Sequence, residues 1–151
     1  MSCRVAVLNG PNLNLLGQRE PALYGARTLS DIEKLVRDEG GRLGCTVSWS
    51  QSNHEGALVD AIQQLPGRAD GLILNAAAYT HSSLAIRDAL LAVRVPFVEV
   101  HLTNLFAREP RRQGLVFADL AVGVIMGLGP YGYVLAVQAL HHHLHGARSS
   151  G

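Results

Sequence analysis

An α/β fold, with a parallel sheet covered by helices on both faces, is predicted by three features of the sequence. Short apolar runs alternate with segments of helical periodicity along the chain, which is typical of parallel sheets with crossover helices. A length of 151 residues suits one domain with one sheet. Hydrophobic residues make up 48% of the chain and charged residues only 17%. This thinly charged composition favours further burial between subunits, so we expect an oligomer.

Five short apolar runs predict the strands, because buried parallel strands read as brief, continuous apolar segments. The first run is rich in valine and leucine, and it starts almost at the N-terminus. The predicted strands span residues 3–8, 46–51, 71–74, 96–100 and 121–126.

The helices are predicted from apolar residues that recur on one face between the strands. In the first, residues 29–43, Ser30 and Glu33 have the spacing of a capping box, and Gly44 follows the end. The others span residues 55–65, residues 82–93, and a segment that begins at Pro130 and ends within residues 141–145. This pattern suits a five-stranded, flavodoxin-like order. We expect one domain over residues 1–146 and a frayed tail over residues 147–151.

Charge and composition argue against several classes of protein. The formal net charge is +1, which gives no basic surface for nucleic acid or for an anionic membrane. No apolar run reaches the length of a membrane span, and the N-terminus has no signal-peptide pattern. Cys3 and Cys45 are too few for a disulfide framework or a cysteine metal site. We therefore expect a cytoplasmic enzyme.

The segment LNGPNLNLLGQREPALYG, residues 8–25, is the most informative stretch of the chain. It begins where the first strand ends and contains three asparagines, two prolines and an Arg-Glu pair without helical or strand periodicity. Loops of this length are usually functional or disordered, and its leucines and tyrosine provide apolar anchors. We interpret it as an active-site loop whose second half moves.

Polar side chains follow four of the predicted strands. In open parallel sheets, ligands bind beyond the carboxyl ends of the strands, so these side chains should lie along one rim. Arginines follow the fourth strand at positions 108, 111 and 112. Amides, hydroxyls and cations of this kind suit a small polyhydroxylated anion. The residues at the strand ends are Asn9, Asn12, Asn53, Asn75, His101 and Thr103.

Two pairs could provide acid–base chemistry. A tyrosine acts as a base near pH 7 only if its pKa falls well below about 10, and a guanidinium such as Arg19 close to Tyr24 would lower it sufficiently. His101 ends the fourth strand, with Glu99 on the same side of the pleat. A carboxylate there would fix the histidine tautomer and stabilise the imidazolium, as a general acid requires. The alternatives are a surface tyrosine packed beside Pro21 and a histidine bonded to a neighbouring carbonyl.

Three other motifs carry less weight. GLGPYG, residues 127–132, matches a dinucleotide-binding pattern, but it follows the last strand and no acidic residue comes about 20 positions later. The histidines within residues 141–145 could bind adventitious metal, although a helix end without supporting carboxylates is a poor closed site. Lys34, the only lysine, should point to solvent from the first helix, which argues against Schiff-base chemistry.

The chain resembles the type II 3-dehydroquinate dehydratases over nearly its full length. The resemblance rests on six ordered blocks: LNGPNLNLLGQREPALYG, QSNHEG, LNAAAYTHSSLAIRDAL, VEVHLTN, AREPRR and GVIMGLGPYGY. It implies a flavodoxin-like enzyme that uses neither cofactor nor metal and assembles as trimers into a homododecamer. The implied reaction converts 3-dehydroquinate into 3-dehydroshikimate, in the shikimate pathway or in quinate breakdown. The alternative is a flavodoxin-like module that binds a cyclic polyol acid without turnover.

The resemblance also implies a role for each site residue. Tyr24 would remove the proton next to the ketone, Arg19 would activate Tyr24, and Asn12 would stabilise the enolate. His101, with Glu99 behind it, would protonate the leaving hydroxyl. Asp88 would come from a neighbouring subunit. The residues implied to bind substrate are Asn75, Leu102 and Thr103 around the carboxylate, His81, Asp88 and Arg112 around the hydroxyls, and Arg108 at the edge.

Overall fold

A computed structural model describes residues 3–18, 20–24 and 26–149 and shows five parallel strands in one sheet. The strand order is β2-β1-β3-β4-β5, which is the doubly wound, flavodoxin-like order. The α/β prediction is therefore confirmed. The strands are β1 (Cys3–Asn9), β2 (Cys45–Gln51), β3 (Gly71–Asn75), β4 (Phe97–His101) and β5 (Gly123–Met126).

The parallel register sets the carboxyl ends of the central strands side by side. Asn9 at the end of β1 is level with Asn75 at the end of β3 and with Gln51 at the end of β2. On the other side, His101 at the end of β4 is level with Met126 of β5. The rim predicted from the sequence therefore exists, and the loops that follow these strands meet above it.

Helices cover both faces of the sheet. Helices α2 (Leu29–Arg42) and α5 (Tyr131–Ser149) pack on one face, while α3 (Glu55–Gln63) and α4 (Leu84–Val93) pack on the other. Each face has its own apolar core. The first core contains Ile32 and Val36 of α2, and the second contains Ile62 and Ile86 from α3 and α4. No helix in the described part of the chain has the length and hydropathy to cross a membrane.

Helix α2 begins with a different cap from the one predicted. Thr28 is the N-cap: its Oγ1 accepts from the backbone N–H of Asp31 at 3.1 Å, and the Asp31 carboxylate accepts from the N–H of Thr28 at 2.9 Å. The prediction of Ser30 and Glu33 was wrong because both lie inside the helix, where Glu33 pairs with Arg37 instead. An aspartate can close this box as a glutamate does.

Other boundaries differ by a few residues. Helix α5 begins at Tyr131 and continues to Ser149, beyond the predicted end within residues 141–145. A further short helix, α1 (Pro21–Tyr24), lies inside the loop after β1 and was not predicted. Gly132 accounts for part of the GLGPYG motif, since a Cβ there would lie 3.3 Å from Ile125 of β5. Lys34 is exposed and pairs with Asp38, as expected for the solvent face.

The two cysteines lie side by side at the starts of neighbouring strands. Cys3 and Cys45 are register partners in β1 and β2, and their sulfurs form a disulfide. Two cysteines were too few to predict a disulfide framework, and residues 42 apart show no local pattern that would bring them together.

Candidate active site

A cavity of about 140 Å³ opens where the loops after β1, β3 and β4 meet. It lies beyond the carboxyl ends of the strands, where the sequence analysis placed the ligand. Its walls combine polar side chains, two arginines and a few small apolar groups. The residues that line it are Pro11, Asn12, Leu13, Asn75, Ala77, Ala78, His81, His101, Leu102, Thr103, Leu105, Arg108 and Arg112.

The loop after β1 approaches the end of β3 very closely. The Gly10 N–H donates to the carbonyl of Asn75 at 2.7 Å, and a Cβ on Gly10 would lie only 2.4 Å from the carbonyl oxygen of Ala76. Only glycine fits such an approach. Two residues later, Asn12 adopts the left-handed conformation with φ 69°. These constraints direct the loop toward the cavity.

A chain of buried hydrogen bonds orients the amide of Asn75. The Tyr133 hydroxyl, from α5, accepts from Asn75 Nδ2 at 2.8 Å and donates to Asn9 Oδ1 at 2.7 Å. Asn75 Oδ1 accepts from the N–H of Ala77. Burial raises the pKa of Tyr133 far above its ordinary value, so the phenol stays protonated. The Asn75 amide is therefore fixed with Nδ2 toward Tyr133.

His101 and Glu99 form a buried pair at the end of β4. His101 Nε2 lies 2.7 Å from Glu99 Oε2, and both side chains are almost fully excluded from solvent. This bond fixes the orientation of the imidazole ring, with Nε2 toward the carboxylate and Nδ1 as the second ring nitrogen. Thr80 Oγ1 donates to the same Oε2 at 3.1 Å. Glu99 Oε1 has no hydrogen-bond partner among the residues described here.

Basic groups form the outer edge of the cavity. Nδ1 of His81 donates to the carbonyl of Gly114 at 2.8 Å, because that oxygen can only accept. Arg112 lines the cavity and bonds Glu109 through Nε at 2.6 Å. This hydrogen bond lowers the pKa of Glu109, so Glu109 is ionised near pH 7. Arg112 thus has a partner in the surrounding loop that a bound anion would have to compete with or share.

Eight of the twelve residues singled out from the sequence line this cavity, and a ninth, Glu99, lies directly behind His101. Asp88 is exposed on α4 and does not line the cavity. Arg19 lies outside the described residues, and of Tyr24 the structure describes only the backbone, in α1. The eight residues in the wall are Asn12, Asn75, His81, His101, Leu102, Thr103, Arg108 and Arg112.

Three residues that support the site were not assigned roles from the sequence. Tyr133 and Thr80 bond Asn75 and Glu99 from distant positions in the chain, and Asn53 accepts from the backbone N–H of Asn12 at 3.0 Å. Asn53 was predicted to lie on the rim but was given no role. Thr80 lies in the polar stretch YTHSS after the third strand, which extends the same rim. Tyr133 left no local signal, because it is an ordinary residue within an apolar helix.

The geometry suits proton transfer to and from a small anion. A buried histidine held by a carboxylate, amide donors and arginines meet in one small cavity, which favours general acid catalysis on a bound carboxylate-bearing molecule. In the described ranges of the chain, no three histidine, cysteine, aspartate or glutamate side chains cluster closely enough to hold a metal ion.

Comparisons with known proteins identify the family. The family model described as Dehydroquinase class II matches residues 3–141. Catabolic 3-dehydroquinase 1 of Aspergillus terreus is 54% identical over 134 residues, covering 89% of this chain and 88% of that protein. The 3-dehydroquinate dehydratase of a Synechococcus strain is 52% identical over 146 residues, covering 97% of this chain and 99% of that protein.

The fold comparison agrees with the sequence comparison. The crystal structure of type II dehydroquinase from Propionibacterium acnes superposes with a TM-score of 0.88 at 39% identity, covering 93% of this chain and 97% of that chain. The family model spans residues 3–141, from β1 into α5, and includes every loop that borders the cavity. This chain therefore belongs to the class II dehydroquinase family, and it is a hydro-lyase with 3-dehydroquinate dehydratase activity.

Proposed function

We propose that the chain removes water from 3-dehydroquinate through an enolate, with Tyr24 as the base, His101 as the acid and no cofactor. The observation that carries this proposal is the buried His101–Glu99 pair in the wall of the cavity, with Nε2 of His101 held by the carboxylate at 2.7 Å. Such a pair fixes Nδ1 as the nitrogen that gives a proton to the substrate. A binding module would gain nothing from this arrangement.

Water would leave in two steps, removal of a proton and then loss of the hydroxyl. The Tyr24 phenolate takes the proton from the carbon next to the ketone, and the electron pair of that bond forms the enolate. Asn12, through a held water, stabilises the charge that develops on the enolate oxygen. The enolate then reforms the ketone, a carbon–carbon double bond forms, and the carbon–oxygen bond to the hydroxyl breaks. His101 Nδ1 supplies the proton with which this hydroxyl leaves as water. Arg19 would keep Tyr24 ionised.

The polar groups around the cavity suit the substrate's carboxylate and hydroxyls. Asn75 and the backbone N–H groups of Leu102 and Thr103 are proposed to hold the carboxylate, and Arg108 lies at the same edge. His81 and Arg112 are proposed to hold the hydroxyls. All six residues line the cavity, and hydrogen bonds already fix the side chains of Asn75 and His81.

A neighbouring subunit is proposed to supply Asp88, within trimers that assemble into a dodecamer. Two features support this proposal. Asp88 is exposed on α4 and lies outside its own cavity. Large apolar side chains are exposed on the same helix and around the edge strand β5: Leu84, Leu91, Val122 and Val124. An apolar edge of this kind is usually covered by another chain. We further propose a cytoplasmic enzyme of the shikimate pathway or of quinate breakdown.

The decisive variant is Tyr24→Phe, assayed by ultraviolet absorbance of the conjugated enone product in the presence of chelator. We expect kcat to fall at least about 1,000-fold, since removing a general base typically costs this much, while calorimetry still detects substrate binding. Tyr131→Phe is the matched control, because Tyr131 is exposed at the start of α5 and does not line the cavity. Near-normal turnover by Tyr24→Phe would refute the base. Binding without turnover by the unsubstituted chain would instead favour a binding module.

A further inference from the structure

Asn12, the proposed stabiliser of the enolate, is held in an unusual backbone conformation. Its φ of 69° and ψ of −4° lie in the left-handed region, which residues with a Cβ rarely occupy, although asparagine tolerates it better than most. Its side chain does not cap the short turn that follows, Leu13–Leu15. The orientation of Asn12 toward the cavity must therefore be maintained by contacts from outside its own loop.

Asn53 and Gln51, at the end of β2, supply those contacts. Asn53 Oδ1 accepts from the Asn12 N–H at 3.0 Å and from Gln51 Nε2 at 3.1 Å. Gln51 Nε2 also donates to the carbonyl of Gly10 at 3.1 Å. The two amides thus hold residues 10–12 at both ends. Asn53 Oδ1 accepts from both Asn12 and Gln51, so this atom links the two residues.

Asn53 is itself anchored to a third loop. The Tyr79 hydroxyl donates to the backbone carbonyl of Asn53 at 2.8 Å, and Tyr79 lies in the turn Ala77–His81 that follows β3. This turn also contributes to the wall of the cavity. Asn53 therefore connects the loops after β1, β2 and β3, although it does not line the cavity.

We propose that Asn53 is a positioning residue, which sets the backbone of Asn12 so that the Asn12 amide holds its water against the developing enolate. This inference rests on the proposed function of Asn12. Asn53 acts only through Asn12, so removing Oδ1 should lower kcat much more than it raises KM. A charge that exists only in the transition state is the one that a displaced amide would fail to stabilise.

Three single variants separate this role from general loop stability. Asn53→Ala removes the accepting oxygen, and we expect kcat to fall about 10-fold to 100-fold, because small misplacements of catalytic groups are costly. Asn53→Asp keeps an accepting oxygen for both donors and should restore most of kcat. Ser52→Ala is the matched control: it removes a bond of the same kind in the same loop, from the His54 N–H to Ser52 Oγ, and should leave kcat unchanged. Asn53→Asp with a kcat as low as that of Asn53→Ala contradicts the proposal.

A double-mutant cycle with Asn12→Ala gives the sharpest test. If Asn53 acts through the Asn12 side chain, Asn53→Ala should change kcat by less than about twofold once that side chain has been removed. An equal loss of kcat in both backgrounds would overturn the inference, because it would show that Asn53 acts on something other than Asn12.

The backbone itself can be examined without reference to turnover. In a crystal structure of Asn53→Ala, we expect the Asn12 peptide to leave the left-handed region or its side chain to turn from the cavity. An unchanged Asn12 would overturn the inference whatever the activity. If the unsubstituted chain does not turn over 3-dehydroquinate at all, the proposed function fails, and the crystal structure still decides whether Asn53 positions Asn12.

Discussion

A buried carboxylate at Glu99 is costly unless charge or hydrogen bonds compensate for the loss of water. Its two donors, Thr80 and His101, both bond Oε2. These two hydrogen bonds offset part of that cost, and they explain why a glutamate is tolerated in the middle of an otherwise apolar strand, between Val98 and Val100.

Tyr133 has a comparable role for Asn75, with neutral groups. Its hydroxyl is fully buried and makes one bond as an acceptor and one as a donor. Asn9 completes the chain by donating from Nδ2 to the carbonyl of Ser50 at 3.0 Å. Each bond in this series has only one possible direction, because its last acceptor is a carbonyl and the phenol remains protonated. The Asn75 amide is therefore held at both of its polar atoms, by the hydroxyl of Tyr133, 58 positions away in the chain, and by the N–H of Ala77.

Tyr133→Phe removes that oxygen and leaves the ring in place. We expect the free energy of unfolding to fall by about 1–3 kcal/mol, since two buried polar atoms lose their partner. The KM for 3-dehydroquinate should rise, because Asn75 Nδ2 loses its partner and the amide is held less firmly, through the bond from the Ala77 N–H to Oδ1. Urea denaturation and steady-state kinetics measure the two effects.

Tyr131→Phe is the control for this prediction, because it deletes the same atom from a tyrosine that is 58% exposed on the same helix. Its unfolding free energy should change by less than about 0.5 kcal/mol. If Tyr133→Phe were as stable and as active as this control, the hydroxyl would have no part in orienting Asn75.

One contact of the site could be predicted from the sequence, whereas three others could not. The Glu99–His101 pair was predictable because residues two apart in a strand share a face. The Thr80–Glu99, Asn12–Asn53 and Asn75–Tyr133 contacts join residues 19, 41 and 58 positions apart. No periodicity encodes such pairs, since they depend on how strands and loops are brought together in the folded chain.

Among the strands, helices and turns, the strands were the most predictable. All five were identified within two residues at each end, because a sheet buried on both faces leaves continuous apolar runs. The short helix Pro21–Tyr24 and the Thr28 cap were missed. Short turns depend on local hydrogen bonds, and several residues in this loop could have formed a cap equally well.

The ends of β1 and β3 lie so close together that an added methyl group between them should be costly. In Gly10→Ala, the new Cβ would collide with the backbone of Ala76 at 2.4–2.5 Å, so one of the two loops must move. We expect the free energy of unfolding to fall by about 1–3 kcal/mol and kcat to fall about 100-fold, because Asn12 and Asn75 would be displaced relative to each other.

Gly41→Ala is the matched control, since nothing lies within 4 Å of a Cβ added there. Gly41 is inside α2, where alanine is the better helix former, so this variant should be more stable by about 0.5–1 kcal/mol. Denaturation curves should therefore show a loss of stability for Gly10→Ala and a gain for Gly41→Ala. Only Gly10→Ala should lower kcat. A fully active Gly10→Ala protein would show that the loop tolerates the displacement.

One assembly of subunits would account both for the exposed apolar edge and for the position of Asp88 outside the cavity. The monomer alone leaves Leu84, Leu91, Val122 and Val124 in water, and it leaves Asp88 outside the cavity. A cyclic assembly would cover that edge and could bring Asp88 of one subunit to the site of the next. Because such an interface is heterologous, each subunit would give one residue and receive one.

Subunit complementation tests this arrangement directly. Asp88→Ala and His101→Ala should each have low activity alone, because each lacks one necessary group at every site. If Asp88 acts on a neighbour's substrate, co-expression of the two variants creates sites that take His101 from one chain and Asp88 from the next. Random mixing should make about one quarter of the sites complete, and the mixed oligomer should regain turnover in that proportion.

The same variants purified separately and combined without subunit exchange are the control. If the co-expressed mixture stays as inactive as its parents while size-exclusion chromatography shows mixed oligomers, then Asp88 does not act across the interface, and the exposed edge of α4 and β5 would have to be covered for reasons of stability alone.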